Sequence, residues 1–191
     1  VLRTHVLSLI STRIVRTKNE LLKFFKKTFW AHQYMDMDEI ENIILDVLEM
    51  LVEFEFIELK KEKAKEFVSA NKIIEDYEIK PTPLGTRISQ LYLDPLSANF
   101  FIENLAKKKN TAMAYLTLIC SVPEINPKIR VKSSNKEEVE QKLLNFESEL
   151  FNTPNVFDFE YEDFINAFNT ALCLYEWINE KKEDYLLEKY N

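Results

Sequence analysis

Glycine is almost absent from this chain: Gly85 is the single one among 191 residues. A phosphate-cradling P-loop needs two glycines in one short loop, and a dinucleotide-binding fingerprint needs three. Both routes to nucleotide binding are therefore excluded. Cysteine and histidine are nearly as scarce. Cys120 and Cys173 each sit in an apolar helical pattern and read as small buried hydrophobes, not as a disulfide. With His5 and His32 as the only histidines, no structural zinc set can be assembled. No stretch has the apolar length of a membrane span, and no signal peptide opens the chain. The first residue is Val1 rather than Met. The chain also enters an amphipathic pattern at once, so the expectation is an intracellular fragment of a longer protein.

What is present suffices for a real core. Hydrophobic residues make up 46% and charged residues 30%, with 14 Phe and 8 Tyr, the composition of a globular protein. Leu2, Val6, Leu9 and Ile10 share one helical stripe. A second helix begins at Thr17, where Thr17 and Glu20 have capping-box spacing and Leu21, Phe24, Phe25 and Phe29 form the apolar face. A third helix carries Ile40, Ile43, Ile44, Val47, Leu48 and Leu51, with Asp36 or Asp38 as its N-cap. Phe54–Leu59 alternates as a strand, and a second strand is expected around Tyr77–Lys80. Three helices followed by a hairpin is the order of a winged helix. Thr82-Pro83 and Asp94-Pro95 each place proline after a capping residue, which predicts helices near 83–92 and 95–107. Further helices are predicted over 111–120, 136–151, 160–178 and from 183 to the end. The fold class is thus mostly α: a winged helix over 1–93, then a helical bundle over 94–191.

Charge separates the surfaces. The third helix offers Asp38, Glu39, Glu41, Asp46, Glu49 and Glu53 with no cation between positions 38 and 53. Phosphate contact dominates DNA affinity, so this helix is a poor reader of a major groove. The first two helices are basic, with Arg3, Arg13, Arg16, Lys18, Lys23, Lys26 and Lys27 against Glu20 alone. Candidate DNA contacts are Arg13, Arg16, Lys23, Lys26 and Lys27, joined by two clusters further on: Lys107, Lys108 and Lys109, and Lys128, Arg130 and Lys132. The net charge of −7 confines any such contact to patches and makes it weak. Trp30 is read as a packing or hinge residue. Trp177 is read as core.

Specific stretches resemble the archaeal Ski-two-like DNA helicases of the Hjm type. Leu2–Ile10 followed by Thr17–Leu21 resembles the family's winged-helix opening. Thr28-Phe29-Trp30-Ala31-His32-Gln33 is similar to its Thr-Phe-aromatic-small-aromatic-Gln segment, with His32 departing from the second aromatic. The run from Thr82 to Ala98, containing Pro83, Gly85, Asp94 and Pro95, resembles the junction between winged helix and ratchet domain. Ala171–Ile178 and Leu187–Tyr190 are similar to the ratchet region. The resemblance implies a superfamily-two motor whose RecA-like domains bind ATP and Mg outside this chain. It further implies 3′-to-5′ unwinding and a truncated ratchet domain whose strand-gripping helix lies beyond Asn191. The chain would then be neither an ATPase nor a helicase alone. Its partners would be the motor domains and single-stranded or forked DNA, in a cytoplasmic, nucleoid-associated setting, during fork processing and repair. Rival readings are a stand-alone winged-helix regulator or interaction adaptor, and an RNA helicase of the same superfamily.

Overall fold

The computed structural model describes residues 2–28, 37–61 and 77–190. Chain contacts divide it into two compact units, Val1–Asn99 and Phe100–Asn191.

In the first unit, α1 (Leu2–Ser11), α2 (Lys18–Lys26) and α3 (Met37–Glu53) precede an antiparallel pair, β1 (Ile57–Lys61) and β2 (Tyr77–Pro81), and then α4 (Pro83–Gln90). The strands pair with Ile57 opposite Pro81 and Leu59 opposite Ile79. The segment between α1 and α2 joins them: Thr17 bridges Glu78, and the Ile79 amide donates to the Arg16 carbonyl at 2.7 Å. The helical stripes predicted from the sequence supply most of the core, but Leu7 joins it from outside the predicted stripe and Phe24 of α2 is left 39% exposed. Val6, Leu7 and Ile10 from α1, Leu21 and Phe25 from α2, and Ile40, Ile44, Leu48 and Leu51 from α3 are all buried, with Phe56, Ile57 and Ile79 closing the cluster. This is the predicted winged helix.

The second unit is helical. It takes up the end of α5 (Pro95–Leu105), then α6 (Ala112–Cys120), α7 (Lys136–Phe146), α8 (Tyr161–Ile178) and α9 (Glu183–Tyr190). α8 is the axis of this unit. Its inner residues Ile165, Ala167, Phe168, Ala171 and Leu172 pack with Met113 and Cys120 of α6 and with Val139 and Leu143 of α7.

Several boundaries differ from expectation for identifiable reasons. Phe54–Phe56 does not join the first strand. α3 runs on to Glu53, and its C-terminal cap uses those residues, the Phe56 amide reaching back to the Leu51 carbonyl at 2.9 Å. Asp38 is not the N-cap of α3, because the helix already starts at Met37; Asp36 and Trp30 lie outside the described residues. α7 stops at Phe146 rather than 151, and Leu150 remains buried on a turn. Trp177, expected in the core, is 66% exposed, and Ile178 beside it is 56% exposed. In the same turn Tyr175 packs on Phe146 and Glu176 is held by Lys142 and Lys189, so α7 and α9 cover one side of the helix end and leave the side of Trp177 and Ile178 bare.

The shortage of glycine shows at the helix ends. The left-handed residue that terminates many helices is usually glycine. Here Arg13, Glu55, Tyr92, Lys108 and Glu180 take it, with φ between 53° and 61°. Four of these ends close with the amide of the next residue bonded five positions back: Ile14 to Leu9, Phe56 to Leu51, Leu93 to Ile88 and Lys181 to Glu176.

Candidate nucleic-acid interface

The basic positions of the first unit lie on α2 and on the corner before it. Lys23, Lys26 and Lys27 are exposed, and the 3- and 4-residue spacing of the last two from Lys23 puts them on one helix face. Arg13 and Arg16 are exposed on the α1–α2 corner. This corner is firmly built. Thr17 is the N-cap of α2, its hydroxyl accepting from the Glu20 amide. Glu20 reaches back to the Arg16 amide at 2.7 Å, one residue before the cap of the usual reciprocal box. The other two cations of the basic front have internal duties. Arg3 Nε donates to Asp94 at 2.6 Å, and Lys18 lies 3.7 Å from Glu41 of α3.

α3 behaves as its sequence requires. Its apolar residues other than Val52 face inward, while Asp38, Glu39, Asp46, Glu49 and Glu53 are exposed. A carboxylate-lined helix in the recognition position is repelled by phosphates on both walls of a groove.

In the second unit the six expected cations separate by what holds them. Lys107 donates to Asn104 at 3.1 Å and to the Phe151 carbonyl at 3.4 Å, and Lys109 donates to the Ser148 carbonyl. Both therefore tie down the turn after α7. Lys108 is exposed between them. Lys128 pairs with Asp163 and is only 12% exposed. Arg130 and Lys132 are exposed on an extended segment whose intervening residues are fastened to α8. The Ile129 amide donates to Thr170 Oγ1 at 2.8 Å and its carbonyl accepts from Asn169 at 3.2 Å. The Val131 amide donates to Asn166 Oδ1 at 2.8 Å. Alternation along an extended chain then turns the residues at 130 and 132 away from α8. Sequence inspection picks out the cations but misses Asn166, Asn169 and Thr170, the polar residues that anchor them. Polar side chains interrupting the apolar stripe of a long helix were the available signal.

The positions read as junction residues are structural. Thr82 caps α4 by accepting from the Gly85 amide, with Pro83 in the first turn. The Thr82 hydroxyl also donates to the Glu55 carbonyl at 2.8 Å. Gly85 packs directly on the preceding turn: a Cβ there would lie 1.9 Å from the Phe56 carbonyl oxygen. Asp94 accepts from the Leu96 amide at 3.0 Å and from Arg3, and Pro95 is buried.

Two hollows lie in the second unit. One, of about 420 Å³, is floored by Phe100, Leu118, Phe151 and Phe164 beside Thr117 and Asn104. The other is open, about 720 Å³, and mixes Lys128 and Arg130 with Glu162 and Asp163. Among the described residues no group of His, Cys, Asp and Glu could hold a metal ion, and no helix is long and apolar enough to cross a membrane. Cys120 is fully buried, and desolvation pushes its thiol up to about 11, so it is no nucleophile at neutral pH.

Taken together, the geometry is that of a winged helix with an acidic third helix, followed by a helical unit in which an extended segment bearing Arg130 and Lys132 is fastened to one long helix. Residues 113–191 match the family described as archaeal helicase, domain 4. Over its whole length the chain is similar to the ATP-dependent DNA helicases Hel308 of Methanocaldococcus jannaschii (38% identity), Methanococcus vannielii (32%) and Pyrococcus horikoshii (33%). It spans 14%, 28% and 25% of those proteins respectively. The chain is thus similar throughout to one part of the archaeal Hel308-type DNA helicases, and its second unit matches the archaeal helicase domain 4 family.

Proposed function

We propose that this chain is the winged-helix and ratchet-type part of a 3′-to-5′ ATP-dependent DNA helicase acting in fork processing and repair, inside the cell and on chromosomal DNA. ATP and Mg would be bound by RecA-like motor domains elsewhere in the same longer protein. The winged helix would serve as a connector, and the helical unit would pass motor movement to single-stranded or forked DNA. The observation that carries this reading is the similarity of the entire chain to a segment of Hel308 helicases, joined to a third helix too acidic to enter a major groove. Electrostatics also limits DNA contact to small patches: Arg13, Arg16, Lys23, Lys26 and Lys27 on one unit, Lys108, Arg130 and Lys132 on the other.

The test compares the 191-residue chain with the product of the full open reading frame. The chain should show no ATP turnover and no strand displacement, and it should bind single strands weakly and without sequence preference. The full product should do both reactions. Clear turnover by the chain alone overturns the proposal. Tight binding of one defined duplex would replace it with the regulator reading.

A further inference from the structure

The turn leading into α8 holds two phenylalanines entirely in solvent. Phe157 and Phe159 are 99% and 102% exposed, and Val156 beside them is 62% exposed. They are not on a loose strand. The Asn155 amide donates to Asp158 Oδ2 at 2.7 Å. The Asp158 amide donates back to the Asn155 carbonyl at 2.9 Å, and the Asp158 carbonyl accepts from the Tyr161 amide at 3.0 Å. The central aspartate is thus folded into the turn while the rings on either side project outward. Rigid aromatic anchors of this kind lose little entropy on binding and dominate interfaces. Left uncovered, they cost apolar hydration for nothing.

The charge around them selects the partner. Glu160 and Glu162 follow at once and are exposed. Asp163 is engaged by Lys128, and Arg130 borders the same open hollow as Phe159. Carboxylates therefore outnumber free cations at this turn, which disfavours a phosphate backbone or an anionic lipid surface. They favour a protein surface with lysine or arginine around an apolar slot. We infer that the Phe157–Phe159 turn is an interdomain plug, docking into a basic-rimmed apolar slot on another domain of the same longer protein. The inference rests on the reading under Proposed function. This chain spans only 14–28% of the length of its relatives, so a protein of their size has room for such a domain.

Hydroxyl-radical footprinting of Phe157 and Phe159 tests it, in the chain and in the full-length product, both without DNA. Oxidation should be roughly tenfold slower in the full-length product, as for a ring entering an interface core. Equal oxidation in both overturns the plug. Protection that appears only when a single-stranded oligonucleotide is added makes the rings a stacking platform and also overturns it. So does protection of the chain alone that rises with its concentration, which points to a second copy. Glu160→Lys with Glu162→Lys should restore much of the oxidation in the full-length product; unchanged protection overturns the basic rim. Phe157→Ser with Phe159→Ser should leave the melting of the isolated chain unchanged and lower that of the full-length product. A reading frame without motor domains would defeat the helicase reading, whereas motor domains with freely oxidised rings would defeat only the plug.

Discussion

Gly85 and the five left-handed helix ends are two faces of one compositional fact. Where α4 meets the turn at Phe56, no side chain fits, and the chain keeps glycine. Gly85→Ala drives a methyl into a backbone carbonyl that cannot retreat without breaking the 3.0 Å bond from the Thr82 amide to Phe56. A loss of about 1–3 kcal/mol is expected from such overpacking, measured by urea unfolding. Where the need is only conformational, the chain accepts strain. Glu180 terminates α8 at φ 60°. Glu180→Gly should therefore stabilise by roughly 1 kcal/mol, the left-handed penalty of a non-glycine residue less the added freedom of the unfolded chain. The same denaturation series reads both variants, and a stabilised Gly85→Ala or a destabilised Glu180→Gly would contradict this account.

At the scale of elements, α9 is fastened to α7 and α8 by alternating charge. Lys189 lies 2.8 Å from Glu176 and 3.5 Å from Glu138, while Lys142 lies 3.2 Å from Glu176 and 3.1 Å from Glu138. Burial alone would raise the Glu176 carboxyl, but its bonds to Lys189 and Lys142 outweigh that and hold it below the usual carboxylate range. Glu138 is lowered as well, chiefly by its hydrogen bond to Lys142. A carboxyl that titrates lower when folded contributes stability that is complete above its unfolded value. That contribution disappears as pH falls through the folded one. Glu176→Gln should cost about 1–3 kcal/mol at pH 7, since it removes the better buried of the two carboxylates that Lys142 and Lys189 share, and should flatten the acid loss of stability. Unfolding curves at pH 7 and pH 3 check both effects. The sequence disclosed the helices through their stripes and the caps at Thr17 and Thr82, because these are local patterns. It did not disclose where β1 starts, since the alternation at 54–59 begins in the turn that caps α3. Nor did it disclose that Trp177 is bare, because a stripe reports an apolar face and not the reach of the neighbour covering it. The anchors Asn166, Asn169 and Thr170 were hidden for a related reason: their partners, Ile129 and Val131, are some 35–41 residues away in sequence.

Across the whole molecule, net charge and patch charge point in opposite directions. The chain carries −7 overall, yet exposed cations cluster at the α1–α2 corner, along α2 and on the 130–132 segment. Few phosphates can be engaged at once. The salt dependence of single-strand binding should therefore be shallow, with a log–log slope no steeper than about −3. Lys23→Glu with Lys27→Glu should abolish what the first unit contributes, while Asp46→Asn with Glu49→Gln on α3 should leave the slope unchanged. Fluorescence anisotropy at several salt concentrations distinguishes these outcomes, and a steep slope that vanishes with the α3 variants would restore groove binding.

The bond from the Ile79 amide to the Arg16 carbonyl has a mechanical corollary. It ties the wing to the backbone of the bend that carries Arg13 and Arg16, so the position of that bend is set by β2 as well as by the two helices it joins, and a substitution that breaks the pair should loosen both.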